Sequence, residues 1–385
     1  MNIKNVESMP WTAGQRSHAG ERFYSIIEYF GNSINSSDKY KPNLLIRYTY
    51  EYSRSELSQD IFLRYFFRYL ERDIDSNEAI EYDENLLDDV KEFADSLLDN
   101  FYFPLKSTGR KTPQPFPANL SAIKSLQGPH EFIGTPERVS HLRAQCLARD
   151  HYRCVVSRSF DVNEAFKRLS KDKKALDDEG ILLKGQPTDV LEVAHIIPHS
   201  LTQADTNSQL PEPKKTALAI LNMFDYDVGH LINGTDIDRP PNVLSLTPKC
   251  RTAFGNFDIY LEAVADQEHT YRIKTFSPTQ EMLYGLPVTR KLFLSENYTV
   301  EPPSPRLLAL HSAIAHVLHL SGAGEYIDKI LGDFEDTGVR GNGTTELGRL
   351  LKWRIAGWLH SGTSCSQDRL KGILAIVSRT IAAEG

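Results

Sequence analysis

Hydrophobic and polar positions alternate with a period of two in two short stretches of this chain and with a helical period in most of the remainder. An apolar, β-prone run from Val190 to Val193 leads to His195 and on through Ile196-Ile197-Pro198, where Pro198 prevents further strand pairing. A second run, Val243-Leu244-Ser245-Leu246-Thr247, follows the turn-forming Arg239-Pro240-Pro241 and Asn242. Pro248 breaks it, with Thr247 placed as a helix N-cap. Ala253, Phe257, Tyr260 and Leu261 are spaced for one face of a helix over Lys249 to Tyr260. The local order is strand, turn, strand, helix.

Elsewhere the spacing predicts helices over Glu21 to Phe30, Glu56 to Leu70 and Asn85 to Phe101, the last with Val90, Phe93, Leu97 and Leu98 in step. The second carries Phe62, Tyr65, Phe66, Phe67 and Tyr69, more than one face can bury, so it packs centrally or against a partner. Phe103 to Ala118 holds four prolines and reads as a linker or extended strap. A charged helix, Asn163 to Leu176, reads as an insertion between the strands' flanks. Tyr271 to Phe276 and Thr289 to Leu294 are short strand candidates. Helices follow over Arg306 to Leu320, from Glu325, over Leu347 to Leu359 with Trp353 and Trp358, and over Arg369 to Ala382, with a flexible loop at Gly332 to Gly343. The fold class is α+β, a mostly helical chain around a central ββα core. The expected divisions are a helical region at 1–102, a proline-containing linker at 103–130, the core with its insertion at 131–298 and a helical region at 299–385.

His195 at a strand end is placed to face a cleft and to act as a general base, since imidazole titrates near neutral pH. The run alone better suits a histidine satisfied in the core, and Asn242 alone suits a turn residue. Together with Phe254-Gly255, the two segments Leu191 to His199 and Pro241 to Thr247 resemble the core of the HNH endonuclease family, a ββα-metal module that hydrolyses phosphodiester bonds. The resemblance covers Cys154 to Glu262 in outline. It implies His195 as the base and Asn242 as the residue that ties the strands and orients it. The stretch Leu310 to Ala323 further resembles a C-terminal helical region of fungal HNH-domain proteins.

Two positions depart from the pattern. Family members commonly place a metal-binding acid or histidine just before the base, where this chain has Ala194. They place a second metal ligand nine residues after the asparagine, where this chain has Arg251, a permanent cation that repels a divalent metal. Three outcomes are open: a rebuilt site with metal held by Glu192, Asn242, His199 or Asp258; Arg251 clamping the phosphate; or a silent site. The expectation is a metal-dependent endonuclease with His195, Asn242 and Arg251 in catalytic positions, weak or inactive. Its cofactor would be magnesium, with manganese or zinc as alternatives or none at all. The competing reading is a catalytically silent binding module of the same fold. His199 reads as a polar loop residue more readily than as a ligand, and Asp225, Asp227, Asp236 and Asp238 read as a solvated loop. His311, His316 and His319 on one helix read as packing and surface residues.

Composition narrows the partners. The 385 residues carry a net charge of −7, which excludes nucleic-acid binding by bulk charge and confines any DNA contact to the cleft and its rim, including Lys249 and Arg251. Lys106 to Lys111 and Arg168 to Lys174 are weak basic stretches. The four cysteines, Cys146, Cys154, Cys250 and Cys365, lack CxxC spacing, so no zinc ribbon is expected, and Cys154 reads as a small buried residue. Without an apolar leader or a membrane-length apolar run, an intracellular protein is expected, nuclear or cytoplasmic. Its partner would be nucleic acid, DNA first, with a protein partner on the helical regions and no membrane contact.

Overall fold

The aromatic-rich helix predicts its own position: it must be surrounded. In the computed structural model, which describes residues 10–33, 40–74, 79–109, 136–202 and 210–337, helix α3 (Glu56–Tyr69) lies against α1 (Ala13–Ser33), α2 (Pro42–Glu51) and α4 (Glu84–Leu97). Phe62, Tyr65, Phe66 and Phe67 are all buried. The rings interlock edge to face, Phe23 on Phe66 at 5.1 Å and Phe66 on Phe93 at 5.2 Å, the arrangement that ring quadrupoles prefer. Ser55 and Asp83 cap α3 and α4 by accepting from Ser58 N and Leu86 N.

The expected strap does not begin at Phe103. A π-helical turn, Leu98–Tyr102, carries α4 directly into α5 (Phe103–Gly109). Pro104 cannot donate a backbone hydrogen bond, yet it sits at the start of this new helix, and Phe103 and Leu105 are fully buried. Only Pro104 of the four prolines lies in this helix; Pro113, Pro115 and Pro117 lie outside the described residues. The rest of 103–130, including Lys111, lies outside the described residues. Lys106 is buried rather than basic surface: its Nζ donates to Asn256 O at 2.8 Å and pairs with Asp328 at 3.1 Å. At Gly109 an added Cβ would sit 2.2 Å from Gly255 O, so only glycine lets the two backbones approach this closely.

The chain then runs through α6 (Pro136–Arg149), β1 (Phe160–Asp161), α7 (Val162–Lys171), β2 (Thr188–Asp189), β3 (Glu192–His195), α8 (Glu212–Phe224), β4 (Val243–Leu246) and α9 (Pro248–Gly255). Strands β3 and β4 are antiparallel, with Glu192 opposite Leu246 and His195 opposite Val243, and α9 packs against β3. Arg149, wholly buried at the end of α6, locks this unit. Its guanidinium donates to Pro240 O and Val243 O at 2.8 Å and pairs with Asp150, which in turn accepts from Ser245 N. The insertion helix α7, capped by Asp161, leaves Phe166 exposed.

Thr247 caps α9 as predicted, accepting from Cys250 N, but the helix stops five residues early. Asp258 N donates to Ala253 O and Phe257 N to Phe254 O, both at 2.9 Å, the paired bonds of a Schellman ending, with Phe257 at φ 62°. Tyr260 and Leu261 therefore belong to a strand, β5 (Ile259–Ala263), which pairs with β6 (Thr270–Thr275), itself paired with β7 (Val288–Lys291). A short helix, α10 (Pro278–Tyr284), links β6 and β7.

Helix α11 (Pro305–Leu320) packs on β5 and α2, followed by α12 (Ala323–Thr337). His311 is buried in α11, stacked on Phe254 at 3.9 Å and on Phe257 at 4.5 Å, and its Nε2 bonds Phe254 O. This contact offsets the cost of a non-glycine residue at the left-handed position of Phe257. His316 stacks on Tyr52 and His319 on Phe276, so all three histidines pack. The described residues all fall within one compact unit, 1–338. Residues 339–385, with Trp353, Trp358, Cys365 and the two final expected helices, lie outside the described residues; of the flexible loop expected at Gly332 to Gly343, Gly332 to Thr337 instead continue α12, and 338–343 lie outside the described residues. Among the described residues no single helix is long and apolar enough to cross a membrane.

Candidate active site

The ladder places the end of β3 beside the start of β4, and one amide joins them. Asn242 is buried. Its Oδ1 accepts from Ile197 N at 2.9 Å, and its Nδ2 donates to Ile197 O and Ile237 O, each at 3.0 Å. Its backbone carbonyl accepts from Ile196 N at 2.8 Å. A carboxamide offers an acceptor and two donors in one plane, and here both kinds of atom are spent on backbone. The bond to Ile237 also anchors the tight turn Gly234–Asp238 that precedes the strand.

His195 turns inward rather than toward an open cleft. Its side chain is 1% exposed, and Nε2 lies 3.0 Å from Asp238 Oδ1, whose side chain is equally buried. The physical reason is that partner: an imidazole is costly to bury without a hydrogen bond, and the carboxylate supplies one. His195 Nδ1 has no hydrogen-bond partner among the described residues. The solvated-loop reading holds for Asp227 and Asp236, with side chains 68% and 44% exposed, and fails for the other two acids. Asp225 is held by Arg306 through two bonds of 2.7 and 2.8 Å, and Asp238 faces His195. The sequence signal for Asp238 was its position four residues before Asn242, within the turn that the asparagine anchors.

His199 joins the cluster from the turn His199–Leu201, its ring 5.9 Å from that of His195. Burial pushes its pKa down to about 4, against the opposing pull of Asp238, so the ring is neutral at pH 7. It lies in a turn, as expected of a loop residue, but is half-buried there, and its Nε2 has no hydrogen-bond partner among the described residues. Lys214, reaching in from α8, is buried as well, and burial lowers its pKa.

Arg251 pairs with Glu192. Arg251 NH1 lies 3.1 Å from Glu192 Oε2, with side chains 14% and 23% exposed. Glu192 and Ala194 point to the same face of β3 by strand alternation. Glu192, Asn242 and His199 are thus committed to different surroundings: an arginine, the backbone, and the imidazole of His195. Asp258 accepts from Asn256 Nδ2 at 3.3 Å, and Lys249 Nζ donates to Leu283 O at 2.8 Å beside the Tyr284 ring. Cys154 is buried, its sulfur accepting from Ser157 N and Thr247 N at 3.4 Å, and it ties the start of α9 to the turn Cys154–Ser159.

The arrangement offers a histidine in one fixed orientation, a carboxylate behind it and a guanidinium on the adjoining helix. Residues 154–262 match the family model described as HNH endonuclease. No curated protein and no solved structure matches the chain.

Proposed function

Because residues 154–262 belong to the HNH endonuclease family, we propose that this protein hydrolyses phosphodiester bonds of nucleic acid, DNA first, as a weak and divergent nuclease. The observation that carries this reading is the buried bracket of His195, Asn242 and Asp238, which holds the imidazole in one place at the strand end. His195 removes a proton from the attacking water. Asn242 keeps the strand ends in register. Arg251 exchanges its contact with Glu192 for a phosphate oxygen, for which a guanidinium is well shaped.

HNH endonucleases generally use a divalent metal. The side chains at the family's ligand positions do not fit one. Ala194 offers no donor, Arg251 brings a positive charge, and the neighbouring carboxylate of Glu192 is already paired with it. Among the described residues no group of three His, Cys, Asp or Glu side chains is arranged to hold an ion. No step is therefore assigned to a metal, and slow hydrolysis is expected.

A second reading, a catalytically silent binding module, is favoured by the burial of the His195 side chain. End-labelled single-stranded DNA, duplex DNA and RNA, incubated with the full chain in magnesium, manganese or zinc, separate the two. Slow cleavage of at least one substrate is expected. Binding detected by fluorescence anisotropy with intact substrate in every metal would favour the silent module, and neither binding nor cleavage would remove both readings.

A further inference from the structure

Asp238 closes the turn Gly234–Asp238, and its carboxylate meets His195 Nε2 at 3.0 Å with both side chains 1% exposed. The same Asn242 amide that accepts from Ile197 N on the histidine side donates to Ile237 O on the aspartate side. One side chain thus fixes the backbone at both ends of the His–Asp contact. A carboxylate accepts and cannot donate, so the hydrogen between the two residues belongs to Nε2. That leaves the lone pair on Nδ1, the nitrogen with no partner among the described residues.

We propose that Asp238 is a positioning residue for His195: it selects the Nε2–H tautomer and so makes Nδ1 the proton-accepting atom. Its catalytic meaning rests on the nuclease reading, but the tautomer does not. Two other titratable groups face the pair. His199, 5.9 Å away on its own turn, is neutral at pH 7 and does not compete with His195 as a cation for Asp238. Lys214, from α8, adds positive charge on the His199 side. When His195 takes a proton on Nδ1, the imidazolium keeps its Nε2–H bond to Asp238, and the buried charge is balanced at once. A neutral partner in place of the carboxylate would leave that charge uncompensated.

The test uses the full chain with ¹⁵N-labelled histidine side chains and long-range ¹H–¹⁵N spectra at neutral pH. Wild type is expected to show His195 protonated on Nε2 and unprotonated on Nδ1. Asp238→Leu, which keeps bulk and removes the acceptor, is expected to give a mixture of tautomers. Asp238→Asn is expected to restore Nε2–H through its side-chain carbonyl. In nicking assays the Leu variant loses about 100-fold or more, within the usual contribution of general-base catalysis. A wild-type His195 protonated on Nδ1 overturns the proposal, and that measurement needs no variant to fold. So does an Asp238→Leu protein that retains a single Nε2–H tautomer. If the tautomers behave as expected but wild type cleaves nothing, the nuclease reading fails and the positioning of His195 by Asp238 stands.

Discussion

Arg251 sets the charge at the helix position where family members place a metal ligand. It stands where a neutral ligand would serve a cation, and it has drawn Glu192 into an ion pair. Arg251→His removes the fixed positive charge, supplies a lone pair and releases the Glu192 carboxylate. With Ala194→Asp added, three donors converge on the face between β3 and α9. The double variant is expected to bind one manganese ion per chain by isothermal titration calorimetry and to nick plasmid DNA faster than wild type. No gain in binding by the double variant would show that the face between strand and helix has lost more than its ligands. His195, Asn242 and Arg251 were legible in the sequence because the motif fixes their spacing along two strands and a helix. Asp238 was not, since a carboxylate in a turn looks the same whether it faces water or a buried imidazole. The inward rotation of His195 was hidden for the same reason: periodicity places a side chain on a face without saying what covers it.

Between elements, the joint of α9 with α11 carries a measurable pH response. Burial pushes His311 down to about 3, with its bond to Phe254 O working in the opposite direction, and His199 is held at about 4. Both rings are neutral in the fold and have an ordinary value of 6.5 when exposed. The unfolded chain therefore takes up protons first as pH falls below 6.5. The stability the two residues contribute is fully present above that pH and declines as pH falls toward the folded values. In that window each histidine contributes a slope of about 1.4 kcal/mol per pH unit. His311→Phe keeps a ring between Phe254 and Phe257 and removes one titrating group. Its urea-denaturation midpoint is expected to fall less steeply than that of wild type between pH 6.5 and 4, and an unchanged steepness would contradict the burial argument. The same joint explains a boundary that the sequence did not reveal. Ala253, Phe257, Tyr260 and Leu261 satisfy a helical spacing, yet Phe257 enters the left-handed region and turns the chain into β5 because His311 stacks on it. That is a long-range contact, outside the reach of a local pattern. The helices α3 and α4 and the strands β6 and β7 were legible because their own caps and alternation specify them.

At the scale of the molecule, the helical layers and the ββα core share one packed interior. Lys106 and Gly109 of α5 meet Asn256 and Gly255 after and at the end of α9, and Arg306 of α11 clamps Asp225 beside α8. The nuclease-like core is thus held from outside by elements distant in sequence, and Arg149 holds it from within. A net charge of −7 predicts that any nucleic acid bound under the proposed function contacts the protein locally rather than through an extended basic surface. The central claim is that His195 takes the proton in phosphodiester hydrolysis. The most direct measurement is the initial rate of supercoiled-plasmid nicking by wild type and by His195→Ala, purified identically and assayed in the same magnesium buffer. The account predicts slow nicking by wild type and a loss of about 100-fold or more in the variant. Equal rates in the two proteins, or no nicking by wild type, would contradict it.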